Sequence, residues 1–182
     1  MALPHPPQFR EPILPGTSNP TTTNPTQTSI QDRILGTWFL IRSSNPFWKP
    51  KLNIHIEYTP VSAHISDRAF YQTTPSSAIK SIDGKDTPAT DGSDTFTWQG
   101  TGFMRIASAK WEVLSFTTRE GGDWMLVYVH KSMFTPAAVN LMCRTKGGVS
   151  ETDREFVRVW LEGVRDEGVR GAGAGMVDIL QE

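Results

Sequence analysis

From Ile34 to Arg144 the chain is written as short apolar runs cut apart by turn residues. The runs over 36–43, 51–59, 64–73, 95–99, 102–107, 111–118, 124–131 and 137–144 predict eight strands. The connectors "TPVSA", "ASAK", "REGGD" and "MFTPA" carry turn chemistry and are too short for a parallel crossover. Consecutive strands must therefore pair antiparallel, as a meander. Two connectors are longer: "SNPFWKP" after the first strand and "PSSAIKSIDGKDTPATDGSD" after the third. The second is polar and reads as a mobile flap. An open sheet of this kind would leave two unpaired edges, and closure removes them. The expected fold is all-β: a single eight-stranded antiparallel up-and-down barrel. An interior of that size is either filled or holds one small ligand.

Both ends differ from this pattern. Residues 1–29 hold seven of the thirteen prolines, and "TSNPTTTNPTQTS" has almost no apolar side chain. Such a segment buries too little surface to offset the entropy of ordering it, so 1–29 reads as a disordered Pro/Thr-rich tail. The other reading is a tail that wraps over the domain, anchored by Phe9, Ile13 and Leu14. The barrel domain is assigned to 30–166. It closes on "SETDREFVRVWLEGVRDE", where Ser150 or Thr152 can cap a helix and acidic residues fill its first turn. Phe156, Val157, Trp160, Leu161 and Val164 then form one stripe at helical spacing, so this C-terminal α-helix needs an apolar surface to lie on. Residues 167–182, "EGVRGAGAGMVDILQE", read as a Gly-rich loose end.

After "RILGTWFLIRS" the pattern resembles a known family. Gly36-Thr37-Trp38 at the start of the first strand is similar to the Gly-x-Trp signature of lipocalins. Arg144 stands at the end of the eighth strand, and the helix at 150–166 follows it. The stretches "GTWFLI", "NIHIEYTP", "TWQGTGFMRIASAKWEV" and "GDWMLVYVHKSMFTPA" resemble small intracellular lipocalin-like (calycin) proteins of fungi and plants. The resemblance covers about 34–165. It implies that Trp38 closes one barrel end, that Arg144 packs on it in a cation–π contact, and that "SNPFWKP" lies over the open mouth.

Composition narrows the partners. A net charge of -1 with dispersed Lys and Arg gives no basic stripe for nucleic acid. No apolar run approaches the roughly 18 residues of a membrane span. The N-terminus lacks a basic and an apolar signal region, and Cys143 is a lone cysteine, so a reducing, cytoplasmic setting is expected. The histidines at 5, 55, 64 and 130 form no ligand pair, so neither a metal nor a cofactor is expected. "GAGAG" follows a helix rather than a strand and lacks the context of a dinucleotide loop. Oligomeric state is left open.

Pairing through "REGGD" would set Phe116 near Leu126, Leu114 near Tyr128 and Glu112 near His130; the next turn would set Tyr128 near Asn140 and Leu126 near Met142. One face then holds Glu112, Leu114, Phe116, Trp124, Leu126, Tyr128, His130, Asn140, Met142 and Arg144. The other holds Trp111, Val113, Ser115, Met125, Val127, Val129, Lys131, Val139, Leu141 and Cys143. With the first face inward, Glu112, His130 and Tyr128 form a catalytic trio able to move a proton on a bound ligand. With the more apolar second face inward, Glu112 and His130 are a solvated pair, and Trp124, Phe116 and Met142 lie under the helix. A one-residue slip reverses a strand's sorting. On the second strand Leu52, Ile54, Ile56 and Tyr58 are the expected inner set, with His55 and Glu57 outside near Arg68.

Aromatic residues suggest a flat apolar cavity with a few polar groups. Phe39, Trp48, Tyr58, Tyr71, Trp98 and Trp111 are expected to bind the ligand, with Arg105 as a polar contact; Phe103, Lys131 and Tyr128 are further candidates. The expected partner is a hydrophobic or aromatic small molecule. Known fungal lipocalin-like proteins shape reactive polyenes or polyketides for ring closure, including Diels–Alder reactions. The resemblance therefore implies a cofactor-independent isomerase or cyclase of natural-product biosynthesis, because holding a near-attack conformer lowers a barrier by itself. The alternative is a non-catalytic carrier or buffer of a hydrophobic metabolite. A third reading is an interaction module that uses the proline-rich tail.

Overall fold

The computed structural model describes residues 5–13, 29–91 and 93–182. A one-turn helix, α1 (Ile30–Arg33), leads into β1 (Gly36–Ser43). There follow β2 (Leu52–Val61), β3 (His64–Gln72), β4 (Lys80–Pro88), β5 (Thr95–Gly100), β6 (Ser108–Thr117), β7 (Trp124–Val129) and β8 (Ala138–Cys143). All neighbours pair antiparallel, and β1 pairs with both β8 and β2, which closes the barrel. Two helices, α2 (Glu151–Gly163) and α3 (Glu167–Ala174), and a short strand β9 (Val177–Asp178) complete the chain.

The expected eight-stranded barrel with a C-terminal helix is present, but two of its segments differ from the reading. The expected polar flap contains β4, and the expected strand at 102–107 is instead a short 3-10 turn, Gly102–Met104. β4 shows no apolar alternation because its inward positions include Gly84 and Asp86, both buried. Gly102 has φ +58°, a left-handed turn that a strand does not accommodate. Its neighbours Phe103 and Ile106 are apolar and exposed.

Trp38 plugs the lower end. Its indole donates to Ile34 O at 2.6 Å, and the Arg144 guanidinium lies 3.8 Å from the ring centroid. Arg144 also donates to the carbonyls of Arg33, Leu35 and Thr37. Gly36 takes φ +95°, and a Cβ there would lie 3.2 Å from Arg144 Nη1. The implied Trp38–Arg144 contact is thus realised, with three carbonyls holding the cation in place.

Two cores share the wall. Trp38, Leu40, Ile54, Ile56, Phe96, Trp111, Val113, Met125, Val127 and Met142 pack inside the barrel. Leu114, Trp124, Leu126, Tyr128, Val139, Leu141 and Cys143 face outward and are covered by Val157, Leu161 and Val169 of the helices. β6 and β7 therefore turn the Trp111 face inward, and the alternative with Glu112, Tyr128 and His130 inside does not hold. The sorting fails in two further places. A bulge between Val113 and Ser115 returns Phe116 to the interior, against Trp38. β8 is one residue out of the expected register: Tyr128 pairs with Val139 and Leu126 with Leu141, so Asn140 lines the interior cavity and Met142 lies in the interior core.

Ser150 caps α2, accepting from Asp153 N–H at 3.1 Å, and Asp153 pairs with Arg119 at 2.7 Å. The segment 167–182, expected to be loose, is built into the domain. Glycine makes this possible by close approach: a Cβ on Gly168 would lie 2.8 Å from the Tyr128 hydroxyl, and one on Gly173 3.0 Å from Leu161. Beyond α3 the chain runs between β1 and β2, where their own pairing ends. Ile179 donates to Ile41 O, Asn53 donates to Leu180 O, and Gln181 Nε2 bridges Leu40 O and Ile54 O.

At the other terminus, residues 5–13 lie along the outer wall. Phe9 stacks on Trp160 at 4.9 Å, Arg10 N–H donates to Leu114 O, and Pro12 is buried. Of the three anchors in the wrapping reading, Phe9 and Ile13 both make contacts there, whereas Leu14 falls outside the described residues.

Candidate functional site: an aromatic cavity with a buried carboxyl pair

Alternation along the strands decides what reaches the interior. Ile54, Ile56 and Tyr58 point inward from β2, as expected, while His55 stacks outside on Phe70. Ile56 and Tyr58, with residues from β3 to β8 and the mouth loops, enclose a cavity of about 340 Å³. Trp48, Tyr58, Trp98 and Trp111 line it. Phe96 stacks on Trp111 with ring centroids 4.3 Å apart, and Tyr58 is 6.1 Å from the same ring. Trp98 pairs with Asp86 and leans over Gly84, two places along β4, which has no side chain: a Cβ there would lie 2.1 Å from Trp98 Nε1.

Among these aromatics stand two carboxyl groups that the sequence reading did not single out. Asp67 on β3 pairs across to Tyr58 on one side and Gly84 on the other. Asp86 on β4 lies diagonally beside it, fully buried. Trp111 Nε1 donates to Asp86 Oδ1 at 2.7 Å, and Asp86 Oδ2 receives no N–H or hydroxyl hydrogen bond among the described residues. The two carboxyls are within hydrogen-bonding reach of each other. Asp67 lines the cavity, and Asp86 stands behind it.

Burial is the main reason both carboxyls resist ionisation. Asp86 is pushed up to about 7, against hydrogen bonds from Trp111 and Asp67 that favour its charged form. Asp67 is raised well above the usual carboxylate range by burial and then by the charge of Asp86. Tyr58 is raised in turn by burial and by both carboxyls. Burial disfavours two like charges side by side, so the pair keeps at least one proton between them. This places a neutral proton donor against the cavity.

The expected trio also comes together, but elsewhere. Glu112 Oε1 lies 2.7 Å from His130 Nε2, and the Tyr128 and His130 rings are 4.8 Å apart. Glu112 Oε2 meets Arg10 Nη1 at 2.5 Å and accepts from Ile13 N–H at 3.1 Å. Burial raises Glu112, yet the hydrogen bonds from His130, Arg10 and Ile13 outweigh it and hold the carboxyl below its usual range. This carboxylate clasps residues 10–13 to the outer wall. Glu112, Tyr128 and His130 therefore have no access to a ligand inside the barrel.

Of the expected ligand contacts, Tyr71 stands behind Trp48 rather than on the cavity, its ring 5.9 Å away edge-on. Phe39 faces the outer core, 6.0 Å from His55, and Arg105 is exposed in the turn after β5. Among the described residues no group of three or more His, Cys, Asp or Glu could hold a metal ion, and no helix is long and apolar enough to cross a membrane.

No family model and no curated protein matches the chain. Solved structures do. Lobster apocrustacyanin A1 superposes with a TM-score of 0.57 at 11% identity, over 81% of this chain and 77% of that one. H1 crustacyanin from the lobster Homarus americanus gives 0.58 at 11% identity, over 81% and 76%. The siderocalin Ex-FABP gives 0.54 at 11% identity, over 81% and 94%. The barrel has the lipocalin fold. At these identities the likeness speaks for the lipocalin architecture, and this lipocalin-like chain must be read for function from its own cavity.

Proposed function

We propose that this lipocalin-like barrel binds a hydrophobic or aromatic small molecule in its cavity and acts on it as a cofactor-independent isomerase or cyclase. The observation that carries the catalytic part is the Asp67–Asp86 pair set in an aromatic wall. In its neutral form Asp67 turns its one O–H from Asp86 to a ligand carbonyl, and Asp86 holds the pair's single negative charge against the Trp111 N–H. Polarising a carbonyl in this way favours enolisation, the α-proton leaving to water at the open mouth, and it lowers the barrier to closing a ring onto an activated alkene. The flat walls of Tyr58, Trp98 and Trp111 hold the substrate in a reactive shape. Natural-product biosynthesis in the cytoplasm is the setting proposed for such chemistry, as the resemblance to small fungal and plant lipocalin-like proteins implies.

The non-catalytic carrier reading keeps the same cavity without the proton transfer. It is favoured by the position of Glu112, Tyr128 and His130 outside the barrel, which removes the expected catalytic trio from the ligand. The siderocalin Ex-FABP is described as functioning through dual ligand specificities. For this chain a dual use of one cavity is not proposed.

Two measurements separate the readings. Quenching of tryptophan fluorescence by a neutral apolar probe, N-phenyl-1-naphthylamine, reports cavity binding. Deuterium uptake from D₂O into a panel of β,γ-unsaturated cyclic ketones reports proton transfer. An isomerase shows both, and Asp67→Asn lowers deuterium uptake by about 10²-fold or more while the probe still binds. A carrier binds the probe and exchanges nothing above the solvent rate.

A further inference from the structure

The loops at the open end differ from the rest of the surface. Strand direction puts the segments 44–51, 73–79, 101–107 and 130–137 together at the mouth, and three of them line the cavity entrance. Phe47, Ile79, Phe103, Ile106, Met133 and Phe134 project from these loops. They are six of the ten large apolar side chains exposed among the described residues, with Phe103 at 93%, Met133 at 91% and Ile106 at 75%. A chain has no reason of stability to gather such tips at one end.

Charge is lopsided in the same place. The four loops contain no Asp or Glu, but they carry Lys49, Lys51, Arg105 and Lys131, with Lys80 opening β4 beside them. None of these five cations is in an ion pair among the described residues. Lys51 lies over the Phe47 ring at 3.4 Å, and burial together with the nearby charge of Lys80 lowers its pKa. The loops at the closed end are mixed, with Asp91, Asp94, Glu120 and Asp123 beside Arg119, Arg144 and Lys146. The whole chain carries a net charge of only -1, so the cationic end is a local arrangement.

We infer that the open end of the barrel docks on an anionic lipid surface, with Phe103, Ile106, Met133 and Phe134 entering the headgroup boundary and the surrounding lysines and arginine meeting lipid phosphates and carboxylates. Apolar tips interleaved with basic residues are what an interfacial membrane contact requires. The tips stand on separate protruding loops around an opening, not on one flat patch of the kind a protein partner covers. Nucleic acid would use the cations and leave the tips in water. Docking in this orientation places the cavity mouth against the bilayer, so an apolar ligand passes between membrane and barrel without crossing water.

This goes beyond the proposed function and is measured without a ligand. The test is co-sedimentation of the full chain with vesicles of phosphatidylcholine alone and of phosphatidylcholine with phosphatidylserine, at low and high salt. The expected result is binding to the anionic vesicles only, lost at high salt. Arg105→Gln with Lys131→Gln weakens it roughly fivefold per cation. Phe103→Ser with Met133→Ser weakens it about tenfold or more. Both pairs are exposed, so unchanged thermal unfolding shows that the fold is intact. Val159→Ser on α2 leaves binding as it was. Asp67→Asn with Asp86→Asn also leaves it as it was, which separates failure of this inference from failure of the catalytic proposal. Equal binding to both vesicle types, or anionic binding indifferent to the mouth substitutions, would overturn it. So would absence of vesicle binding together with a concentration-dependent dimer abolished by Phe103→Ser.

Discussion

Trp111 on β6 donates its indole N–H to Asp86 on β4, 2.7 Å away across the intervening strand β5. This one bond ties the aromatic wall of the cavity to its acid pair. A buried carboxyl that keeps a single N–H donor and a second carboxyl as neighbour is held at a cost, and that cost shows in its pH dependence.

The barrel loses stability as pH rises from about 4 to 8. Asp86 is raised to about 7 in the folded state. Between the unfolded and folded values the folded chain holds a proton that the unfolded chain has released, so the contribution is full at low pH and fades as pH climbs through 7. Its size is on the order of 2–4 kcal/mol. Urea unfolding at pH 5 and pH 8 measures the slope, and Asp67→Asn with Asp86→Asn removes most of it. A slope unchanged in that variant would refute the shared proton.

Trp111→Phe leaves Asp86 Oδ1 without its donor while keeping most of the ring. The expected loss is about 1–3 kcal/mol, with the Asp86 titration moved to still higher pH. Chemical denaturation and carboxyl-carbon NMR titration read the two effects separately.

The outer clasp responds to pH with the opposite sign. Glu112 is held below its usual range, so its contribution is present at neutral pH and fades as pH falls through that depressed value. Glu112→Gln is expected to release residues 10–13 and uncover Trp124 and Trp160. Acrylamide quenching of tryptophan rises in this variant, while N-phenyl-1-naphthylamine binding in the cavity is unchanged. Loss of cavity binding would show that the clasp belongs to the ligand site after all.

Gly84→Ala drives a methyl group into the Trp98 indole, 2.1 Å from its nitrogen. Trp98 must swing into the cavity, and binding of the apolar probe is expected to weaken by about tenfold or more at a stability cost of about 1–3 kcal/mol. Titration of the probe against the variant checks it; unchanged affinity would mean that the ligand does not contact Trp98.

Much of the architecture is legible in residue order. Short alternating runs and compact turns dictate an antiparallel meander, and Gly36 and Trp38 mark its closed end. β4 escaped because its inward residues are glycine and aspartate, which leave no apolar period to read. The C-terminal helix α3 escaped because glycine lowers helix propensity; its reward is contact with Tyr128 and Leu161, residues far away in the chain. Within the site, Trp48, Tyr58, Trp98 and Trp111 followed from their aromatic character, whereas Phe39 and Arg105 face away.

What residue order alone determined is what depends on neighbours a few places apart: strand, turn, helix stripe and cap. Which face of β6 and β7 looks inward was decided by long-range register, by the bulge at Leu114 and by the outer helices that claim Trp124 and Leu126. The meeting of Asp67 and Asp86 was decided in the same way, since they stand nineteen positions apart and become diagonal neighbours only through the β3–β4 register. Alternation has a period of two, so a single slipped residue exchanges core for surface, and nothing local records the slip.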